Sequence, residues 1–402
     1  MRPRRPAGSS SLTLPLVPLL LVLLALAASV VPGETADPAT FITRHWARPI
    51  PPQGEAPVAW SALERSLAPA DCGACHPTQY GDWKESLHAR AYGPGIAGQL
   101  AEELRRDPGA GRRCGACHAP LAEQSPTVGA AFDPQLRAQG LVCAGCHVRG
   151  QRRFGPPRRD GSLAPSPAAA PHGGVTRERG FLRSEFCASC HQFPPGGLAL
   201  NGKLLENTYE EWRRSPAARQ GRQCQDCHMP DRRHLWRGIH DPEMVRGAVA
   251  VRLAVRRGQE AGVPTVRAQL TIESRDVGHH FPTYVTPRVV ARLELAGPDG
   301  RTLPGSVEER VIGREVTLDL AREIADTRIP AGGRFVLDYR RPAPPGGRLR
   351  SSVVVYPDHF YTGFFTALLE QGAGPGEADI REALAATRRS PFILDARDIP
   401  LD

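Results

Sequence analysis

The 402-residue sequence predicts an α+β chain in two main parts. A cysteine-rich part of mainly short helices and loops spans residues 70–244, and an antiparallel β-sandwich spans 245–360. Three observations carry this reading. All ten cysteines fall before residue 228, in five copies of one short pattern. From Val249 onward apolar residues alternate with period two, interrupted by turns rich in Gly and Pro. Near the end, residues 361–371 and 378–388 return to helical spacing, so 361–402 reads as closing helices and a tail. The 41 Gly and 40 Pro are spread along the chain, which excludes a collagen-like or wholly disordered polymer.

At the N-terminus Arg2, Arg4 and Arg5 precede an uncharged stretch from Leu12 to Val31, with small residues at Ala25, Ala27 and Ala28. A basic start, an apolar middle and a small-residue end describe a secretory signal peptide over residues 1–28. The alternative is an uncleaved membrane anchor, since about twenty uncharged residues can span a bilayer. Pro15, Pro18 and the small-residue end favour cleavage. No cysteine lies near that end, which excludes a lipoprotein anchor. The expected place is outside the cytoplasm, the periplasm first and an extracellular or outer-membrane-associated position second. Residues 29–69 are Pro- and Ala-rich and read as an extended lead-in.

The five cysteine motifs are Cys72-x-x-Cys75-His76, Cys114-x-x-Cys117-His118, Cys143-x-x-Cys146-His147, Cys187-x-x-Cys190-His191 and Cys224-x-x-Cys227-His228. C-x-x-C-H is the attachment signature of c-type haem. Two thiols at this spacing reach the two vinyl groups of one porphyrin, and the next histidine is held under the iron. Disulfides and zinc sites are the alternatives. Neither explains why a histidine follows every second cysteine. Five covalently bound haem c groups are therefore expected. The gaps between motifs are short, so the porphyrins themselves must supply much of the buried apolar surface. The segment from Val148 to Gly174, rich in Arg, Pro, Ala and Gly, reads as an exposed loop.

The formal charge is +9, from 51 basic and 42 acidic residues. Each haem brings two propionates against one ferric charge, so the loaded, processed protein lies closer to neutrality. Nearly all the basic residues are arginines, Lys84 and Lys203 being the lysines. That bias suits a GC-rich genome better than a nucleic-acid partner, and none is expected. Arg112, Arg113, Arg152, Arg153, Arg222 and Arg232 are candidate propionate partners through charge-assisted hydrogen bonds.

Five irons need five more axial ligands. Eight histidines remain, while Met229 and Met244 are the only methionines after Met1. Bis-histidine ligation follows, with lower potentials than His/Met ligation would give. His88, His172, His234, His240 and His279 are the candidate distal ligands, and His45 and His359 are left out. On one straight helix His88 would lie roughly 18 Å from His76, so it suits a neighbouring haem. A repeat, Tyr80-x-x-Trp83-x-x-Ser86 and Tyr209-x-x-Trp212-x-x-Ser215, continues to His88 in its first copy and to Ala217 in its second. Thr208-x-x-Glu211 resembles a capping box.

With C-x-x-C-H followed by Trp83-x-x-Ser86-x-His88, the chain resembles a superfamily of multihaem cytochromes c. It contains the relatives of hydroxylamine oxidoreductase, pentahaem nitrite reductase and the tetrahaem cytochrome that accepts electrons from hydroxylamine oxidoreductase. Cys224-Gln225-Asp226-Cys227-His228-Met229-Pro230 with His234 and Gly238-Ile239-His240-Asp241 strengthens the resemblance. Gly278-His279-x-Phe281-Pro282-Thr283 and Asp326-Thr327-Arg328-Ile329 are similar to a β-domain often appended to such cytochromes, and His279 is the histidine that matches. The resemblance covers about residues 70–360. It implies closely packed haems, in parallel-stacked and perpendicular pairs, that pass electrons along a chain. The expected role is electron transfer in anaerobic or extracellular respiration, between a quinol-side donor and a terminal reductase or extracellular acceptor. Departures weaken the catalytic assignments. Pentahaem nitrite reductase binds its catalytic haem through a lysine-ending motif, whereas all five motifs here end in histidine. The tyrosine cross-link of hydroxylamine oxidoreductase finds no counterpart. The enzyme alternative is reduction or oxidation of small nitrogen or sulfur oxyanions at one five-coordinate haem. The structural alternative is a subunit of an extracellular filament, since some relatives borrow an axial histidine from the next subunit, so a homo-oligomer stays open.

Overall fold

The computed structural model describes residues 37–401 apart from 108, 110 and 168. The signal segment at 1–28 and residues 29–36 lie outside the described residues. Among the described residues no helix is long and apolar enough to cross a membrane. Residues 38–402 form one compact unit.

The first part is a set of short helices joined by loops. The segment read as an extended lead-in carries a helix, Pro38–His45, whose buried face is Phe41, Ile42 and His45. Phe41 and Ile42, with Trp46 and Ile50, join Trp83, Leu121, Val142, Phe154, Phe181 and Phe186 in one apolar cluster. Four of the five motifs end a short helix on their histidine: Arg112–His118, Cys143–His147, Ser184–His191 and Cys224–His228. The helical period explains why. Residues i, i+3 and i+4 share a face, so two thiols and the imidazole project together.

The stretch read as a loop after the third motif is partly ordered into strands. Val148–Arg149 pairs with Arg152–Gly155, which pairs in turn with Thr176–Arg177. Burial of Phe154 against Phe41 drives this, an apolar anchor that the surrounding Arg and Pro obscure. The second repeat copy also differs from expectation. The helix Thr208–Arg213 starts from Asn207 without a side-chain cap. Glu211 serves the β-region instead, accepting from Arg328 Nη1 at 2.8 Å and from the His280 main-chain N–H at 3.1 Å.

The second part is an antiparallel β-sandwich. Its strands are β1 (Val249–Glu260), β2 (Val263–Ser274), β3 (Arg288–Ala296), β4 (Glu308–Val316), β5 (Glu323–Asp326), β6 (Arg334–Pro342), β7 (Arg348–Tyr356) and β8 (Phe392–Pro400). One sheet runs β6-β2-β1 and the other β5-β4-β3-β7-β8. The period-two residues are the filling. Val266, Leu270 and Ile272 meet Val289, Leu293, Leu349, Val353 and Val355 in the core. Ala261 and Gly262, both with positive φ, make the two-residue turn between β1 and β2. The sequence reading misses β4, interrupted by charges, the short β5, and β8, which follows the helices His359–Gln371 and Glu377–Arg389.

The two parts are joined through buried ions. Arg314 is almost fully buried. Its Nε donates to Glu323 at 2.9 Å, and its Nη atoms donate to the main-chain oxygens of Leu200, Lys203 and Leu204. Arg328 pairs with both Glu211 and Asp326. Removing one member of a buried, hydrogen-bonded ion pair leaves the other unpaired, which costs about 3–5 kcal/mol. Arg314→Met is expected to lower the unfolding free energy of the loaded protein by that amount in a denaturant titration. A loss below about 1 kcal/mol, the range of an exposed pair, would contradict the account.

Candidate haem centres

Most of these imidazoles are set by what Nδ1 touches, while His88 Nδ1 is buried without a hydrogen-bond partner. A carbonyl oxygen only accepts hydrogen bonds, so an Nδ1 facing one carries the proton and leaves the lone pair on Nε2. His118 Nδ1 donates to Ala91 O at 2.6 Å, His147 to Phe154 O at 2.8 Å and His228 to Arg237 O at 2.7 Å. His234 donates to Arg232 O at 3.1 Å, His279 to His280 O at 2.8 Å and His172 to Gly174 O at 3.2 Å. His191 differs, its Nδ1 lying 2.6 Å from the Tyr284 hydroxyl.

Three pairs of rings then face one another. Centroids are 6.3 Å apart for His88 and His191, 6.1 Å for His147 and His234, and 6.3 Å for His228 and His279. Two imidazoles bound trans to one metal, with bonds of about 2.0–2.1 Å, place their centroids about 6 Å apart. Each pair combines the histidine of one motif with a histidine far away in sequence. Burial holds His88 at about 3 and His147 and His191 at about 4. All three are therefore neutral across the physiological range, the form that ligates a metal.

The surroundings explain how the rings are held. Asp82 accepts from the His234 N–H at 2.9 Å and from Arg233 Nε at 2.7 Å, so the helix Pro77–Glu85 positions the ring that faces the histidine of a different motif. Trp236 stands between two pairs, edge-on to His88 at 4.6 Å and to His234 at 5.0 Å. In the repeat, Trp83 Nε1 donates to Leu141 O and Trp212 Nε1 to Arg222 O. A Cβ on Gly278 would come within 3.4 Å of Ala217, so the second copy, lacking a histidine there, packs directly beneath His279. The two β-region signatures also meet, Phe281 and Ile329 exchanging main-chain hydrogen bonds at 2.8 Å.

The other candidates lie elsewhere. His172 lines a cavity of about 240 Å³ with Trp60, Arg152 and Arg153, and the charge of Arg153 acts on Cys72 of the first motif. His240 has its Nε2 on Asp358 at 2.9 Å, leaving its lone pair on Nδ1. His45 spends Nε2 on Cys146 O at 2.8 Å and is buried among aromatic rings. His359 Nε2 lies 3.2 Å from Arg288 Nη1.

None of the ten cysteines is joined in a disulfide. Among the described residues no group of three or more His, Cys, Asp and Glu could hold a bare metal ion. Facing imidazoles with a thiol pair beside them suit a porphyrin iron instead. Thiols of different motifs come together: Cys72 with Cys143, Cys117 with Cys190, and Cys187 with Cys224. The fourth motif thus adjoins the second and the fifth. Arg48, which the sequence reading missed, spans Cys117 at 3.4 Å and Cys190 at 3.0 Å. Arg149, also missed, has a buried Nη2 without a hydrogen-bond partner beside the third motif. Nothing in the local sequence of either arginine points to a motif that is distant along the chain. Of the arginines named from sequence, Arg222 holds Asp276 and approaches Cys227, while Arg153 and Arg232 donate to main-chain oxygens.

Residues 71–150 match the family described as cytochrome c554 and c-prime. A penta-haem cytochrome c552 from Thermochromatium tepidum superposes with a TM-score of 0.60 at 18% identity, covering 85% of this chain and 100% of that one. A structural-genomics target, SoR45, gives a TM-score of 0.18 at 10% identity over 38% of this chain and 85% of that chain, too low to carry an argument. No curated protein matches.

The facing pairs generate a direct test. His279→Ala in the loaded protein is expected to convert one low-spin haem to high-spin while the mass of attached haem stays the same. An unchanged absorption and EPR spectrum would show that His279 ligates nothing.

Proposed function

Proceeding from a multihaem c-type cytochrome domain with a distinct C-terminal β-region, we propose that the chain is an exported pentahaem electron carrier. The observation that carries this reading is the three pairs of facing, neutral imidazoles at 6.1–6.3 Å. Haem iron bound there supplies a one-electron ferric/ferrous couple. The protein's residues fix its ligation, spacing and access to solvent. His191 and His88 hold the fourth iron, His147 and His234 the third, and His228 and His279 the fifth. His76 and His118 hold the first and second irons from one side, with His172 and His240 as their second ligands. Arg153 beside both Cys72 and the His172 cavity supports the first assignment. For the second, Asp358 binds His240 and acts on Tyr361, which in turn feels Cys114.

The ten thiols anchor the porphyrins so that motif adjacency becomes an electron route. Contacts run from the first motif to the third and from the fourth to the second and fifth, and Trp236 joins the ligands of the third and fourth. We place the protein in the periplasm, passing electrons from a quinol-side donor to a terminal reductase or extracellular acceptor.

A second reading is favoured by one observation. His240 Nε2 is bound to Asp358, so it could ligate only through Nδ1. If it does not, the second iron keeps an open position suited to a small nitrogen or sulfur oxyanion.

Low-temperature EPR of the oxidised protein, with intact mass, separates the readings. Five attached haems with only low-spin ferric signals are expected. A stoichiometric high-spin signal that responds to nitrite or cyanide would contradict the carrier reading and support catalysis at the second iron.

A further inference from the structure

Most of the motif and distal histidines donate Nδ1–H to a main-chain carbonyl, a partner that does not titrate. His191 is different: its Nδ1 lies 2.6 Å from Tyr284 Oη. The Tyr284 hydroxyl in turn interacts electrostatically with the Glu206 carboxylate and with Thr208. One oxygen of that carboxylate, Oε2, is buried with no hydrogen-bond partner. Tyr284 takes a backbone conformation with φ of +65°, which bulky L residues rarely adopt, so the surrounding fold pins it there.

We propose that Glu206 is the proton site coupled to the iron held by His191, taking up a proton when that iron is reduced and releasing it on oxidation. The proposal rests on the assignment of His191 as an iron ligand. With Nε2 on the metal, His191 Nδ1 carries its proton and donates to Tyr284 Oη. The phenol proton is then free to point at Glu206. An ionised Glu206 strengthens Tyr284 as an acceptor, draws on the Nδ1 proton and makes the imidazole a better donor to ferric iron. A protonated Glu206 removes that help and favours the ferrous state. The step balances: one electron arrives from a neighbouring haem or a redox partner protein, and one proton arrives from water and binds Glu206. The local net charge is unchanged.

The groups facing Glu206 favour a titration in the working range. They are Tyr284, Cys117 and Glu211, with Tyr361 acting on it from the helix His359–Gln371. Burial keeps both tyrosines neutral. Cys117 loses its ionisable proton when it becomes a thioether, and Glu211 is paired with Arg328 at 2.8 Å. Burial, the largest influence, pushes Glu206 up to about 8. The fourth motif adjoins the second, third and fifth, so a proton-coupled iron here affects every electron that crosses the junction.

The test is a spectroelectrochemical titration of the intact, haem-loaded protein between about pH 6 and pH 9, on either side of that value. Wild type is compared with Glu206→Gln and Tyr284→Phe. In wild type one midpoint potential is expected to fall as pH rises. Its slope approaches a tenfold change in equilibrium constant per pH unit, about 59 mV for one electron. Glu206→Gln is expected to flatten that slope with all haems retained, and Tyr284→Phe to weaken it by breaking the relay. Peptide mapping reports attachment at the fourth motif. A wild type without the slope, or an undiminished slope in Glu206→Gln with haem attached there, overturns this proposal alone. His191→Met, which replaces the ligand, is expected to change the spectrum of one haem; no change would overturn the ligation reading on which the proposal rests.

Discussion

A main-chain carbonyl accepts hydrogen bonds and cannot donate them, and that asymmetry governs how these imidazoles can be used. Wherever Nδ1 meets such an oxygen, as at His118, His147, His228, His234 and His279, the proton is fixed on Nδ1 and the lone pair is aimed from Nε2. The carbonyls come from well-ordered local structure: the end of the 3-10 turn at Ala91, the strand Arg152–Gly155 at Phe154, and the loop after the fifth motif at Arg232 and Arg237. Backbone geometry thereby sets ring orientation, and desolvation keeps the buried rings neutral. A chain with few extended apolar runs in its first half can still orient several imidazoles in this way.

The β-region contributes rings that face the motif histidines as well as packing beside them. Its connection from β2 to β3 delivers His279 opposite His228 and Tyr284 beside His191. Glu211 holds that connection in place, accepting from the His280 main-chain N–H and the Thr283 hydroxyl while paired with Arg328 across the junction. The repeated Tyr-x-x-Trp-x-x-Ser unit shows the same division of labour. Its first copy runs on to His88, which faces His191. The second has Ala217 at that place, and the small side chain leaves room for Gly278 and the histidine after it.

Much of this was legible in the sequence because it depends on local spacing. The five motifs, the alternation in β2, β3 and β7, and the two closing helices are short-range patterns. The pairing of the rings was not legible. His88 meets His191, His147 meets His234 and His228 meets His279 across long loops, and spacing along the chain carries no record of which ring faces which. Phe154 is hidden among arginines and prolines, so its strand has the local pattern of a loop. Glu211 was read as a cap because its partner Arg328 lies more than a hundred residues away. Glu206 and Tyr284 carry no local motif, and their relation to His191 exists only in three dimensions.

The central claim is that irons sit between those facing rings. Diffraction from crystals of the loaded protein at the iron absorption edge tests it directly. The account predicts an anomalous peak midway between His88 and His191, another between His147 and His234, and a third between His228 and His279. A peak bonded to the motif histidine alone, with the second ring turned away, would contradict it.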